Sequence, residues 1–106
     1  MAKPKEKLAR QLKALGDPER LRILCKLPDS PRCEEVLNVS ELSQELKISQ
    51  PMVSHHLGVL RNAGLVQFEK MCRDVYYWID RKEVDKVLAM LTEIVADKSV
   101  PPAAEG

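Results

Sequence analysis

The chain has 106 residues, 44% of them hydrophobic and 31% charged, which suits one domain with a single modest core and excludes a disordered composition. No apolar run approaches the roughly 20 residues of a membrane span. The N-terminal MAKPKEKLARQLK has basic residues but no uninterrupted apolar stretch, so it does not read as a secretory signal. The three cysteines, Cys25, Cys33 and Cys72, are an odd number without close pairing, which argues against a disulfide framework and for reduced thiols in the cytoplasm.

A net charge of +1 hides an uneven distribution. Residues 1–26 carry eight basic and three acidic side chains, and residues 49–82 carry five and three. Residues 27–48 and 83–106 each carry two basic and five acidic. Positive charge gathered in two segments is compatible with an anionic partner, because affinity for DNA rests largely on local phosphate contacts.

In chain order, residues 1–7 are Lys-rich, contain Pro4 and are expected to form a flexible arm. Leu8, Leu12 and Leu15, with Ala9, set a helical stripe that stops at Gly16. Asp17-Pro18 starts a second helix, with Asp as N-cap and Pro at the first helical position. Its expected buried face is Leu21, Leu24 and Cys25, widened by Ile23 and Leu27. Pro28 to Arg32 form a loop. Val39-Ser40 opens a short third helix with Leu42 and Leu46 inward and Glu41 and Glu45 outward.

The stretch Ile48 to Leu65, ISQPMVSHHLGVLRNAGL, follows after a turn of only Lys47-Ile48. Ser49 is the expected N-cap, Pro51 sits in the tolerant first turn, Ile48 and Val53 have the spacing of a hydrophobic staple, and Gly64 can adopt the left-handed conformation that ends a helix. Val53, Leu57 and Leu60 form its apolar stripe. Gln50, Ser54, His55 and Arg61 lie away from that stripe, and no acidic residue occurs between Ser49 and Gly64. Gln and Ser can read base edges, and Arg can read guanine or clamp phosphate. Two short helices joined by a tight turn, the second with such a front, make a helix-turn-helix.

After Gly64 the period changes from helical to alternating. LVQFEK and VYYWI, separated by Met71-Cys72-Arg73-Asp74, read as a β-hairpin, which in this position is the wing of a winged helix. A last helix, about Arg81 to Lys98, carries Val84, Val87, Leu88, Leu91, Ile94 and Val95, and residues 99–106 are an expected disordered tail. The expected fold is therefore mainly α with a small hairpin wing, in the order four helices, two strands, one helix, with residues 8–98 as the DNA-binding and dimerisation domain. The first and last helices carry more apolar surface than so small a core needs, so they are expected to pair across a two-fold axis, matching a palindromic operator. No metal-ligand spacing, Gly-rich phosphate loop or nucleophile–base pattern points to an enzyme. The rival reading is a winged-helix protein-interaction module, whose second helix should carry an acidic or apolar front, unlike this one.

LKALGDPERLRIL (Leu12 to Leu24), NVSELSQEL (Asn38 to Leu46), ISQPMVSHHLGVLRNAGLV (Ile48 to Val66) and VYYWI (Val75 to Ile79) together resemble the ArsR/SmtB family of winged-helix repressors over about residues 8–97. The resemblance implies a homodimeric repressor that leaves its operator when an inducer binds. It places Gln50, Ser54 and His55 in the major groove, His56 near the backbone or the helix packing, and Lys70 and Arg73 of the wing at phosphate or the minor groove.

The family's inducer sites are matched only in part. Where arsenic-sensing members have L-C-V-C-D-L-C, this chain has Leu37-Asn38-Val39-Ser40-Glu41-Leu42-Ser43, without a thiol. The last-helix Asp and His pairs of zinc-sensing members correspond to Arg81-Lys82-Glu83 and later Ile94 and Asp97, without a histidine. Any metal site is therefore unknown. Cys25 resembles the second-helix cysteine of sulfide- and oxidant-responsive members, but their partner cysteine near the end of the last helix is missing here. Cys33 is the nearest substitute, able to approach Cys25 within the roughly 4.4–6.8 Å between Cα atoms that a disulfide needs. Arg22, Lys26 and Arg32 are close enough in sequence to favour a thiolate, and Cys72 falls in the wing. Three readings stay open for these cysteines: packing, thiol redox or sulfur sensing, and binding of a thiophilic metalloid such as arsenite.

Overall fold

The computed structural model describes residues 4–31, 37–71 and 73–96. Its elements are α1 (Pro4–Leu15), α2 (Pro18–Lys26), α3 (Val39–Leu46), α4 (Gln50–Asn62), β1 (Val66–Met71), β2 (Asp74–Ile79) and α5 (Arg81–Ala96). This is the winged helix-turn-helix order. Ile23, Leu42, Val53, Leu57, Leu60, Leu65, Val66 and Val87 are sealed from solvent at its centre, so α2, α3, α4, the start of the wing and α5 share one core.

Helix ends follow local chemistry. The Asp17 carboxylate accepts from the backbone N–H of Glu19 at 2.9 Å and of Arg20 at 3.1 Å, closing the first turn of α2. Asn38 and Glu41 form a reciprocal capping box at α3, one residue ahead of the expected opening at Val39. Lys47 ends α3 in the left-handed region with φ 57°. Ser49 caps α4 by accepting from Met52 N–H at 3.3 Å. At the other end of α4, Gly64 N–H donates to Arg61 O at 2.9 Å and Leu65 N–H to Leu60 O at 3.0 Å. That pair is the Schellman closure, with Gly64 at φ 78° and the buried Leu60 and Leu65 as its apolar clasp.

Three expectations are corrected. First, α1 begins at Pro4, so part of the expected arm is helical; proline is tolerated there because a first-turn N–H has no intrahelical acceptor. Second, Leu21 is 49% exposed and Cys25 is also exposed, while Ile23 and Leu27 are buried. The inward stripe of α2 is Arg20, Ile23, Leu24 and Leu27; a polar residue occupies one of its positions, which concealed it from a search for apolar spacing alone. Third, the strands run further toward the tip than expected, pairing Met71 with Asp74. Arg73, just before β2, has φ 78°.

The wing is tied to the body at its base. Ile79 N–H donates to Pro28 O at 2.7 Å and Asp80 N–H to Leu65 O at 2.9 Å. Asp80 also caps the next helix, its side chain accepting from Glu83 N–H at 3.1 Å, so α5 leaves the hairpin at a fixed angle. None of the described helices is long and apolar enough to cross a membrane.

Candidate nucleic-acid interface

Helix α4 buries Val53, His56, Leu57 and Leu60 and turns Gln50, Ser54, His55 and Arg61 to solvent. The exposed front therefore carries hydrogen-bonding and cationic groups and no carboxylate. Gln50 Nε2 donates to Ser40 Oγ at 3.3 Å, which ties the first turn of α4 to the start of α3 and limits the rotamers of the Gln50 amide. The Arg61 guanidinium lies 4.8 Å from the centroid of the Phe68 ring, and Phe68 in turn stacks on Tyr77 at 5.8 Å. The wing thus holds the last basic group of α4 in place by a cation–π contact. Lys70 and Arg73 are exposed further along the wing.

His56 does not join this front. It is 3% exposed and lies between α4 and α2, 3.1 Å from Arg20 Nη1 through Nδ1 and 2.8 Å from Glu19 Oε1 through Nε2. Of the two places expected for His56, the DNA backbone and the helix packing, it takes the second and so leaves the expected DNA-binding set: its angular position on the helix falls among Val53, Leu57 and Leu60. Asp17, Glu19 and His56 each offer a ligand atom, all within 4.8 Å of one another. Their lone pairs already serve the α2 cap and the Arg20 and Glu19 contacts, so the cluster reads as a structural network. Within it the Asp17 carboxyl is held below the usual carboxylate range, first by the Arg20 backbone N–H, with burial opposing and the Glu19 N–H adding to the lowering.

On the thiol side, Cys25 is exposed, while Cys33 and Cys72 lie outside the described residues. The two described cations expected beside Cys25 turn toward α3: Arg22 Nη2 donates to Leu46 O at 2.7 Å, and Lys26 pairs with Glu45 at 3.2 Å. At the family's arsenic positions, Asn38 caps α3 and Ser43 Oγ donates to Ile48 O, so both side chains maintain helix ends.

The profile described as "Bacterial regulatory protein, arsR family" matches residues 17–67, which run from the cap of α2 into β1. The chain is also 38% identical over 91 residues to the transcriptional activator HlyU of Vibrio cholerae, a match taking in 86% of this chain and 80% of HlyU. The chain belongs to the ArsR family. A second family relative, the biofilm growth-associated repressor of Xylella fastidiosa, is 33% identical over 99 residues, covering 92% of this chain and 82% of that protein. The solution structure of the homodimeric winged helix-turn-helix DNA-binding domain of Mb0332 from Mycobacterium bovis superposes with a TM-score of 0.64 at 28% identity, covering 88% of this chain and 81% of that one.

Two features of this ArsR-family chain escaped sequence reasoning. The Asp17–Glu19–Arg20–His56 network joins residues more than 30 positions apart, and its only local sign was a histidine falling on the apolar stripe of α4. The other is a cationic cleft between α1 and α4, to which Arg10, Lys13 and Arg20 contribute; the convergence of these basic residues depends on how the helices cross.

Proposed function

We propose that this chain is a homodimeric transcriptional repressor that inserts α4 into the major groove of a palindromic operator and releases it on thiol chemistry at Cys25. The observation that carries DNA binding is the carboxylate-free exposed front of α4, bearing Gln50, Ser54, His55 and Arg61 on a helix whose two ends are capped and whose back is sealed in the core. Gln50 and Ser54 read base edges, Arg61 contacts a base or phosphate, and Lys70 and Arg73 of the wing meet the backbone.

Dimerisation through α1 and α5 is supported by the outer side of α5. Leu88, Leu91, Ile94 and Val95 stay exposed while Val84 and Val87 serve the chain's own core. The homodimeric state of Mb0332 favours the same assembly. The exposure of Cys25 supports a sensing role, with sulfur species, oxidants or arsenite as the inducer class. Because HlyU bears the name of an activator, the sign of regulation is tested separately with a reporter.

The experiment is fluorescence anisotropy on palindromes selected from a random duplex pool, with reductant, then a polysulfide, then arsenite, then zinc. Tight, salt-sensitive binding released by a thiol-directed agent, and no longer released in Cys25→Ser, is the expected result. Failure to select any palindrome overturns the DNA reading in favour of a protein-interaction module. Tight binding indifferent to every agent overturns the sensor assignment and leaves a repressor with inert cysteines.

A further inference from the structure

Beside the recognition helix, α1 and the start of α2 enclose an open cleft of about 470 Å3. Its apolar surface comes mainly from the half-buried Val59 and Ala63, with the buried Ala14 at its floor, and its cations from Arg10, Lys13, Arg20 and Lys7, without a carboxylate in the lining. Two of these cations are occupied. Lys7 pairs with Glu83 at 3.2 Å, and Arg20 donates to Ala14 O at 2.6 Å and to His56. Arg10 and Lys13 have no ion-pair partner among the described residues, and both are exposed beside the apolar surface.

We propose that this cleft binds a small organic anion, one carboxylate on a flat apolar body, and that the bound anion weakens operator binding. The volume lies in the range of small-molecule sites, roughly 300–1,000 Å3. A mixed lining selects the ligand class: the carboxylate meets Arg10 and Lys13, and the body covers Ala14, Val59 and Ala63. A DNA phosphate would satisfy the cations but leave the apolar surface wet.

The regulatory half rests on the DNA reading above. His55, Val59 and Asn62 form one stripe of α4 at i, i+4 and i+7 and line the cleft, next to the stripe that holds Ser54. An anion seated there neutralises positive charge at the edge of the DNA-binding front and competes for His55, so operator affinity falls without any change of fold.

The test starts without DNA. The full chain is titrated with 2-naphthoate and followed by amide NMR, with neutral 2-naphthamide and inorganic phosphate as comparison probes. The expected result is saturable shifts at Ala14, Val59, Asn62 and Ala63 with naphthoate, binding about tenfold weaker for naphthamide, and a similar loss in the Arg10→Gln, Lys13→Gln double variant. Equal binding of naphthoate and naphthamide, or identical shifts with phosphate alone, overturns the ligand class; no saturation overturns the site. Operator binding is then measured with naphthoate present. Weakening in the wild type but not in the double variant supports the regulatory half, and unchanged affinity overturns it. If the chain binds no operator at all, the NMR result still stands, so the two readings fail separately.

Discussion

The Arg20 guanidinium sits 3.1 Å from His56 Nδ1 while His56 Nε2 lies 2.8 Å from Glu19 Oε1. Arginine can only donate, so Nδ1 accepts from Arg20 and the ring proton sits on Nε2, donating to Glu19. One tautomer of one buried ring therefore joins the first turn of α2 to the middle of α4. Replacing His56 by Ala leaves Arg20 Nη1 without its acceptor, while Nε keeps Ala14 O, and the expected cost is about 1–3 kcal/mol in urea unfolding. His55→Ala, one residue away and exposed, should change stability by less than about 0.5 kcal/mol and instead weaken operator binding. Equal stability losses in the two variants would contradict the assignment of the two histidines to different jobs.

Gly64 stands at φ 78° in the closure that ends α4, and a Cβ placed there would have only Glu83 Cγ nearby, at 3.8 Å. Space is therefore sufficient, and the strain lies in the backbone. Gly64→Ala should destabilise the fold by about 1–2 kcal/mol, with heat or urea unfolding as the readout. Lys47, at φ 57°, is the opposite case. Lys47→Gly should leave stability unchanged or raise it by up to about 1 kcal/mol, since glycine removes the left-handed penalty but adds unfolded-state freedom.

Much of this architecture was legible because local chemistry and global packing agree in the helix-turn-helix. Ser49, Pro51, Gly64 and the Val53, Leu57, Leu60 stripe all indicate the same helix, and the change to alternation after Gly64 marks the wing. Legibility fails where a polar residue occupies an inward position. Arg20 and His56 face each other across α2 and α4, and apolar spacing shows neither: it points to Leu21, Leu24 and Cys25 on α2 and leaves His56 between the DNA backbone and the helix packing. The cleft between α1 and α4 is set by helix crossing, which residue spacing along a single helix does not encode.

Two carboxylates give stability a defined pH dependence. The Glu83 pKa is lowered, first by the hydrogen bond from Gln11, with burial opposing and Lys7 adding to the lowering; Asp17 is lowered chiefly by the Arg20 backbone N–H. A carboxyl depressed on folding binds fewer protons folded than unfolded, so its contribution is complete above its unfolded value, about 4, and is lost as pH falls through the folded value. The urea midpoint should therefore hold steady from neutral pH to about 5 and fall below about 4. Asp17→Asn keeps a good N-cap but cannot titrate, so its midpoint should fall less steeply in acid. An identical acid profile would remove Asp17 from this account.

The exposed side of α5 makes a separate claim. Leu88 is 56% and Val95 64% exposed in the protomer, so charges placed there should not disturb the chain's own core. Leu88→Glu with Leu91→Glu is expected to yield a folded monomer by sedimentation with unchanged helical circular dichroism, and to lose operator affinity because one half-site alone is engaged. A double variant that remains dimeric would place the two-fold elsewhere.

Base reading and backbone anchoring should separate by mutation. Gln50 and Ser54 stand on the exposed front of α4, with Gln50 steadied by Ser40, whereas Arg73 stands at the tip of the wing. Gln50→Ala or Ser54→Ala should cost about 1–3 kcal/mol of discrimination between the selected operator and its altered base pairs, with random DNA bound as before. Arg73→Ala should weaken operator and random duplex by the same factor and reduce the slope of log affinity against log salt by about one. If Arg73→Ala changes sequence preference while Gln50→Ala and Ser54→Ala do not, the wing is the reading element and α4 the anchor, and the orientation proposed for this domain on DNA is reversed.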